Sequence, residues 1–291
     1  MACGDPAAGH STVIRSEPEV TTKERIDLLL VELGYYPSRE KAKAALMAGL
    51  VLVDNEPVDK SGTKVRRDSE IKVKGSLHPY VSRGGLKLEK AIREFGIAMD
   101  GRVMLDIGAS TGGFTDCALQ HGAAYVYAID VGYNQLDWSL RQHPHVKVME
   151  RVNFRYIRPE DLSGPAPDCA SIDVSFISLK LILPALAPLL PQGGEVAGLI
   201  KPQFEAGREK VGKAGIVRDP AVHLEVLQAV CGEAAAAGFK LDGLTFSPIT
   251  GGEGNIEFLA HWVREDGAAV PDGELLERIV TEASAHFHSG K

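Results

Sequence analysis

Cysteine is scarce in this chain: Cys3, Cys117, Cys169 and Cys231 are the 4 in 291 residues, far apart and with no CxxC pair. That excludes a disulfide framework or a zinc knuckle and fits a reducing compartment. The 9 histidines are scattered as well, so no His/Cys cluster has metal-ligand spacing and no metal is expected. No apolar run approaches the roughly 20 residues of a membrane span, and no amphipathic membrane stretch occurs. The opening residues, MACGDPAAGHSTVIRSEPEV, lack the basic start and apolar stretch of a secretory signal. No repeat of roughly 20–50 residues is present. These absences predict a cytoplasmic protein with no membrane partner.

What is present is an ordinary globular composition, 44% hydrophobic and 24% charged, which supplies a sizeable core. The length of 291 residues predicts about two domains at roughly 150 residues each. The net charge of -7 is unevenly spread. Residues 23–93 carry 15 Lys/Arg against 10 Asp/Glu, a balance of +5, whereas residues 94–291 carry -10. An acidic body with a basic N-terminal module can hold a polyanion through that module. A merely solvated charged surface would give the same count.

Residues 1–22 are polar and unpatterned and read as a disordered arm. RIDLLLVELGYY has helical spacing with Gly34 as a stop, and a second helix opens at Ser38 as N-cap. That second helix puts Ala42, Ala45 and Leu46 on one face and leaves Arg39, Lys41 and Lys43 in water. Short strands in LVLVDNEPV and SEIKVK follow. Residues 23–76 are therefore a small α+β module, with Arg39, Lys41 and Lys43 as candidate phosphate contacts. LHPYVSRGG (77–85) reads as a linker, and its Arg83 is a further candidate RNA contact. From 86 to 264 the rhythm is strand and helix in alternation: VMLDIG, AYVYAID, VKVME, DCASIDVSF, GGEVAGLIK and IEFLAHWV as strands, with helices at GGFTDCALQHG and at 219–237. That predicts an α/β, Rossmann-like parallel sheet covered on both faces. The acidic tail 265–291 holds one amphipathic helix, ELLERIVTEASAHF.

LDIGASTGGFTD (105–116) places a Gly-rich turn at the carboxyl end of the first strand, where doubly wound sheets bind ligands. A dinucleotide fingerprint has its second glycine where this turn has Ser110, and Asp106 precedes the turn. An acid there repels a pyrophosphate but suits an ammonium and a sulfonium. Asp130 ends the next strand, where a carboxylate can take a ribose diol. S-adenosylmethionine therefore fits better than NAD, and a plain Gly-rich turn with a solvated acid is the structural alternative. Lys87, Asp173, Lys201 and Glu257 are spread along the chain, and each alone would pass as structural. Asp173 and Lys201 end strands on the edge that carries the turn. Paired carboxylates hold lysines in place, and a neighbouring cation with partial desolvation draws a lysine's pKa down, which suits deprotonating a ribose hydroxyl.

The strings SRGGLKL, LDIGASTGGFTD, IDVGYNQLDWSLR, SIDVSFIS, LIKPQFEAG and GNIEF resemble those of the TlyA (hemolysin A-like) rRNA methyltransferases, within the wider FtsJ-like group of ribose 2′-O-methyltransferases. The resemblance runs from Arg25 to Trp262, and the N-terminal module is similar to the ribosomal protein S-four-type (alpha-L) RNA-binding domain. It implies a catalytic Lys-Asp-Lys-Glu tetrad on Lys87, Asp173, Lys201 and Glu257. It also implies cofactor contacts at Asp106, Gly108, Ser110, Thr111, Gly112, Gly113, Asp130 and Asn153, and Phe114 is placed with them. The expected function is transfer of a methyl group from S-adenosyl-L-methionine to a ribose 2′-hydroxyl of ribosomal RNA, free or in a ribosomal subunit, with Lys201 activating the hydroxyl. Alternatives are a non-catalytic ribosome assembly factor, the cytolysin that the family label suggests, and a small-molecule methyltransferase, which would not need the basic module.

Overall fold

The structure, a computed structural model, describes residues 23–33, 35–36, 39–74, 78–251 and 254–288. The arm 1–22, the stop at Gly34 and the N-cap at Ser38 lie outside the described residues. The chain divides into two compact units, Met1–Leu77 and His78–Lys291.

The first unit opens with β1 (Lys23–Arg25), then α1 (Ile26–Glu32) and α2 (Arg39–Met47). β2 (Val51–Val53), β3 (Glu56–Pro57), β4 (Lys64–Arg66) and β5 (Ile71–Val73) follow. The two helices meet on Ile26, Leu29, Leu30, Ala42, Ala45 and Leu46, and this core closes on Val51, Val53 and Val65. β2 lies between β3 and β5, while β4 pairs antiparallel with β1. The β2–β3 connection is Asp54-Asn55, both at positive φ, the backbone that a two-residue hairpin requires and that Asn and Asp tolerate.

The second unit is built on α3 (Gly85–Phe95), β6 (Val103–Ile107), α4 (Gly113–Gln120), β7 (Tyr125–Asp130), α5 (Trp138–Arg141) and β8 (Val146–Glu150). It continues through β9 (Cys169–Ile172), α6 (Leu183–Leu186), β10 (Glu195–Ile200), α7 (Pro202–Glu205) and α8 (Pro220–Ala236). β11 (Phe239–Phe246), β12 (Phe258–Arg264) and α9 (Gly273–His288) complete it. The sheet order is β11-β12-β10-β9-β6-β7-β8. The five strands β6 to β10 run parallel, and β6, β7, β9 and β10 are buried on both faces and read as apolar runs, whereas β8 forms one edge. Along β6 the sides alternate: Leu105 and Ile107 join one core, and Met104 joins the other. The chain winds outward from β6 to β8 and then crosses back to β9 on the other side of β6. That reversal is the switch point at which such sheets open a crevice.

Three features differ from expectation. β12 is antiparallel to β10, and a seventh strand, β11, pairs antiparallel with β12. β11 is hidden in the sequence because Asp242-Gly243 interrupts FKLDGLTF like a turn; the register instead shifts between Leu241 and Gly243 as a bulge. The linker stretch also contributes to this unit. Tyr80 is buried among Leu88, Ala91 and Phe114, and a Cβ at Gly85 would lie 2.3 Å from its ring. That glycine lets α3 start against Tyr80, which sets the position of Lys87. The tail helix α9, finally, buries Leu276, Ile279, Val280 and Ala283 in the core. Among the described residues, no helix is long and apolar enough to cross a membrane.

Candidate active site

The Gly-rich turn between β6 and α4 holds Gly108, Ser110 and Gly112 at positive φ. Its glycines are demanded by the protein's own packing. A Cβ at Gly108 would lie 2.5 Å from the Asp173 carbonyl, one at Gly112 2.3 Å from Leu140, and one at Gly113 2.3 Å from the Ser82 hydroxyl. The turn is thereby drawn against the end of β9. Asp130, at the end of β7, accepts the N–H of Ser110 (2.8 Å) and of Gly132 (2.6 Å). Each carboxylate oxygen has a second lone pair, so a diol can still bind. Phe114 is buried behind the turn, and Thr111 is exposed at its tip. Asn153 is exposed just past β8; its side chain accepts the Arg155 N–H, and the neighbouring Val152 N–H bonds the Asp130 carbonyl.

Asp106 departs from expectation. It shares the Met104 side of β6, is wholly buried, and accepts hydrogen bonds from Thr115 (2.6 Å) and Ser171 (3.0 Å). Strand alternation turns it beneath α4 instead of into the crevice. Burial raises its carboxyl to about 6, against the lowering effect of the two hydroxyls. Asp106 therefore braces the turn from below.

The four dispersed residues converge. Lys87 comes from α3, Asp173 follows β9, Lys201 follows β10 and Glu257 precedes β12. The Lys87 Nζ donates to Glu257 Oε2 at 2.6 Å and lies 3.9 Å from Asp173 Oδ2. The Lys201 Nζ lies 2.5 Å from Asp173 Oδ1, close but out of hydrogen-bond alignment, and donates to the Ser175 hydroxyl at 3.0 Å. The order is thus Glu257–Lys87–Asp173–Lys201, two cations alternating with two anions. Lys87 and Glu257 are buried; Asp173 and Lys201 are partly open. Lys90, on the same helix as Lys87, donates to the Phe246 carbonyl at 2.7 Å and so fixes α3 against β11.

A cavity of about 280 Å³ lies between the Gly-rich turn and this constellation, with Gly108, Ser110, Asp173, Lys87 and Lys201 on its wall. Arg83 is on its rim and exposed. Arg39, by contrast, is engaged: its guanidinium bonds the wholly buried Asp27 at 2.8 Å, beside Arg25. Those two guanidiniums hold the Asp27 carboxyl down at about 2, with the Arg25 hydrogen bond the largest cause and burial opposing. Lys41 is exposed and Lys43 half-buried, two and four residues past Arg39 on α2. Three residues escaped the sequence reading: Ser175, Phe176 and Glu205. All three lie inside the strings DVSFIS and KPQFE, whose unusual length was the available signal.

A cavity at the switch point of a parallel sheet, beside alternating lysines and carboxylates, defines the class. The family described as FtsJ-like methyltransferase matches residues 80–264, and the S4 domain matches residues 24–71. The chain belongs to the FtsJ-like methyltransferase family. It is 57% identical over 265 residues to YqxC of Bacillus subtilis, named as a candidate rRNA methyltransferase, covering 90% of this chain and 94% of that one. It is 42% identical over 262 residues to the 16S/23S rRNA (cytidine-2′-O)-methyltransferase TlyA of Mycobacterium tuberculosis, covering 90% and 97%. A solved structure of a candidate hemolysin from Streptococcus thermophilus superposes with a TM-score of 0.74 at 51% identity, over 93% of this chain and 98% of that one.

Proposed function

We propose that the protein transfers a methyl group from S-adenosylmethionine to a ribose 2′-hydroxyl of ribosomal RNA. The observation that carries this reading is the Lys201–Asp173–Lys87 arrangement on the wall of the switch-point cavity. The relatives named for rRNA methylation support it. The cavity fits the cofactor: a carboxylate with spare lone pairs, Asp130, lies at the end of the neighbouring strand, and Asp173 brings negative charge to the wall. Asp130 would hold the ribose diol, and the turn from Gly108 to Gly113 the remainder. S-adenosylmethionine, when bound, supplies a methyl group on a positively charged sulfur.

The chain's own groups handle the proton. A ribose hydroxyl is a weak nucleophile, so its proton leaves as the new carbon–oxygen bond forms. Lys201 is placed to take that proton at Nζ, oriented by Asp173 and Ser175. Lys87, held by Glu257, adds positive charge where the oxygen becomes alkoxide-like. The exposed ring of Phe176 offers the RNA a face on which a splayed base can stack. The first unit would supply rRNA affinity through Lys41 and Lys43, with Arg83 contacting RNA at the cavity mouth. Incubating the protein with S-adenosylmethionine and purified ribosomal subunits, then mapping 2′-O-methyls nucleotide by nucleotide, tests the proposal. New methyls on ribose are the expected result; methylation only of bases, or none on either subunit, overturns it.

A further inference from the structure

Lys201 immediately precedes α7, and Glu205 is the last residue of that helix. The Glu205 carboxylate reaches back to the segment that follows β9. Oε2 accepts the Ser178 hydroxyl at 2.6 Å, and Oε1 accepts the Leu179 N–H at 2.9 Å. The near end of that same segment provides the two polar partners of Lys201, Asp173 at 2.5 Å and Ser175 at 3.0 Å, while the Phe204 ring lies 6.0 Å from its Nζ. The contacts close a ring: Lys201 to Asp173 and Ser175, along the chain to Ser178 and Leu179, across to Glu205, and back through one short helix to Lys201.

Phe176 lies inside the ring and shows that something must hold it. Its φ is +64°, a left-handed conformation uncommon for a bulky residue. Its side chain is 91% exposed, so burial does not anchor it there. Such a backbone persists only where the surroundings over-determine it. The Phe204 ring, 4.9 Å away on α7, and the Glu205 bonds just beyond Phe176 are the restraints in reach. Capping of the short helix Leu179–Leu181 would account for one Glu205 bond. The Ser178 hydroxyl, which accepts the Lys180 N–H as the N-cap of that helix, ties the second bond to the same cap. Capping does not explain why both bonds arise from the helix that begins at Lys201.

We propose that Glu205 is a positioning residue for Lys201: it braces the 174–178 segment so that Asp173 and Ser175 stay aimed at the Lys201 Nζ. The proposal rests on the reading of Lys201 as the group that handles the ribose proton. Glu205 touches neither cofactor nor substrate in this scheme, and its effect passes through the lysine.

Competitive acetylation of the full chain, with each lysine's rate read by mass spectrometry, tests this without calling on activity. In Glu205→Ala, Lys201 should acetylate several-fold faster than in the parent protein, while Lys87, held from α3 by Glu257, keeps its rate. Ser178→Ala removes one of the two bonds and perturbs folding less; it should move Lys201 in the same direction by a smaller factor. Alongside, single-turnover methylation of rRNA by Glu205→Ala should slow by about 10–100-fold, the scale of a roughly 1 Å misplacement, with Kd for S-adenosylmethionine and rRNA unchanged. Its pH profile should shift, and Glu205→Gln, which keeps one acceptor, should recover part of the rate. Unchanged Lys201 acetylation in both variants overturns the proposal. Equal acceleration at Lys87 and Lys201 overturns it too, since Glu205 would then be a general brace of the fold. Should the parent protein fail to methylate rRNA, the functional reading falls alone, and the acetylation rates still decide the role of Glu205.

Discussion

Asp106 on β6 and Asp130 on β7 show how far two strand positions separate neighbouring carboxylates, since Asp106 pairs with Ala128. Asp106 is wholly buried under α4, and its carboxyl rises from 3.8 to about 6. A carboxyl bound more tightly to its proton in the folded state contributes stability below pH 3.8 and loses it as pH rises through about 6. Asp106→Asn should therefore raise stability at pH 8 by about 2–3 kcal/mol, given 1.36 kcal/mol per pKa unit, and leave it unchanged at pH 4. Urea unfolding at the two pH values measures this, and an equal effect at both would contradict it. Its S-adenosylmethionine affinity should hold, whereas Asp130→Ala should weaken binding by about 1–3 kcal/mol in calorimetry, as for a charge-assisted hydrogen bond. The sequence located both acids at strand ends but could not tell which of them lay open at the edge of the sheet, because that depends on the register of β6 with β7. At Lys201, replacement by Ala should slow single-turnover methylation by about 10²–10⁴-fold with binding intact. Lys201→Arg should fail equally, since a guanidinium cannot release its proton. A fast Lys201→Arg enzyme would leave Lys201 an electrostatic role only.

At the scale of elements, α2 divides its three basic residues between folding and the surface. Arg39 neutralises the buried Asp27, so Arg39→Ala leaves that carboxylate with one partner fewer. A loss of about 1–3 kcal/mol is expected in thermal unfolding. Lys41→Ala with Lys43→Ala should instead reduce the salt dependence of rRNA binding by about one phosphate contact per effective charge. An unaltered slope would mean that these two lysines do not contact the RNA. The amphipathic pattern of α2 was legible, since Ala42, Ala45 and Leu46 are the residues it buries. The engagement of Arg39 was not, because Asp27 is on another helix and nothing in the local spacing pairs them. The same limit hid β11, where an internal Asp-Gly imitates a turn, and made β12 look parallel. Strand direction follows from the connection, and among the described residues the segment between β11 and β12 carries no helix. The parallel centre of the sheet was plain because burial on both faces writes itself as unbroken apolar runs.

Across the whole second unit, the site is assembled from segments as distant as Lys87 and Glu257, 170 positions apart. Periodicity cannot foresee such convergence; only the order of the strands brings α3 and the start of β12 together at the switch point. The pair has a consequence for stability as well as chemistry. Glu257 is 2% exposed and Lys87 7%, so removing one partner strands the other charge away from water. Lys87→Met should destabilise the protein by roughly 3–5 kcal/mol, the usual cost of an uncompensated buried charge, and Glu257→Gln should also destabilise it. The double variant has no charge to strand, and its stability should return most of the way to that of the parent. Residues in contact are not additive, and the sign of the coupling here is set by desolvation. Methylation should not return with it, because the double variant still lacks the positive charge beside the reacting oxygen. Urea titrations of the four proteins, paired with single-turnover rates, separate the two effects. If the double variant is as unstable as the sum of the singles, the pair is not held as a buried ion pair. If it regains activity along with stability, Lys87 serves the fold of this unit and not the reaction.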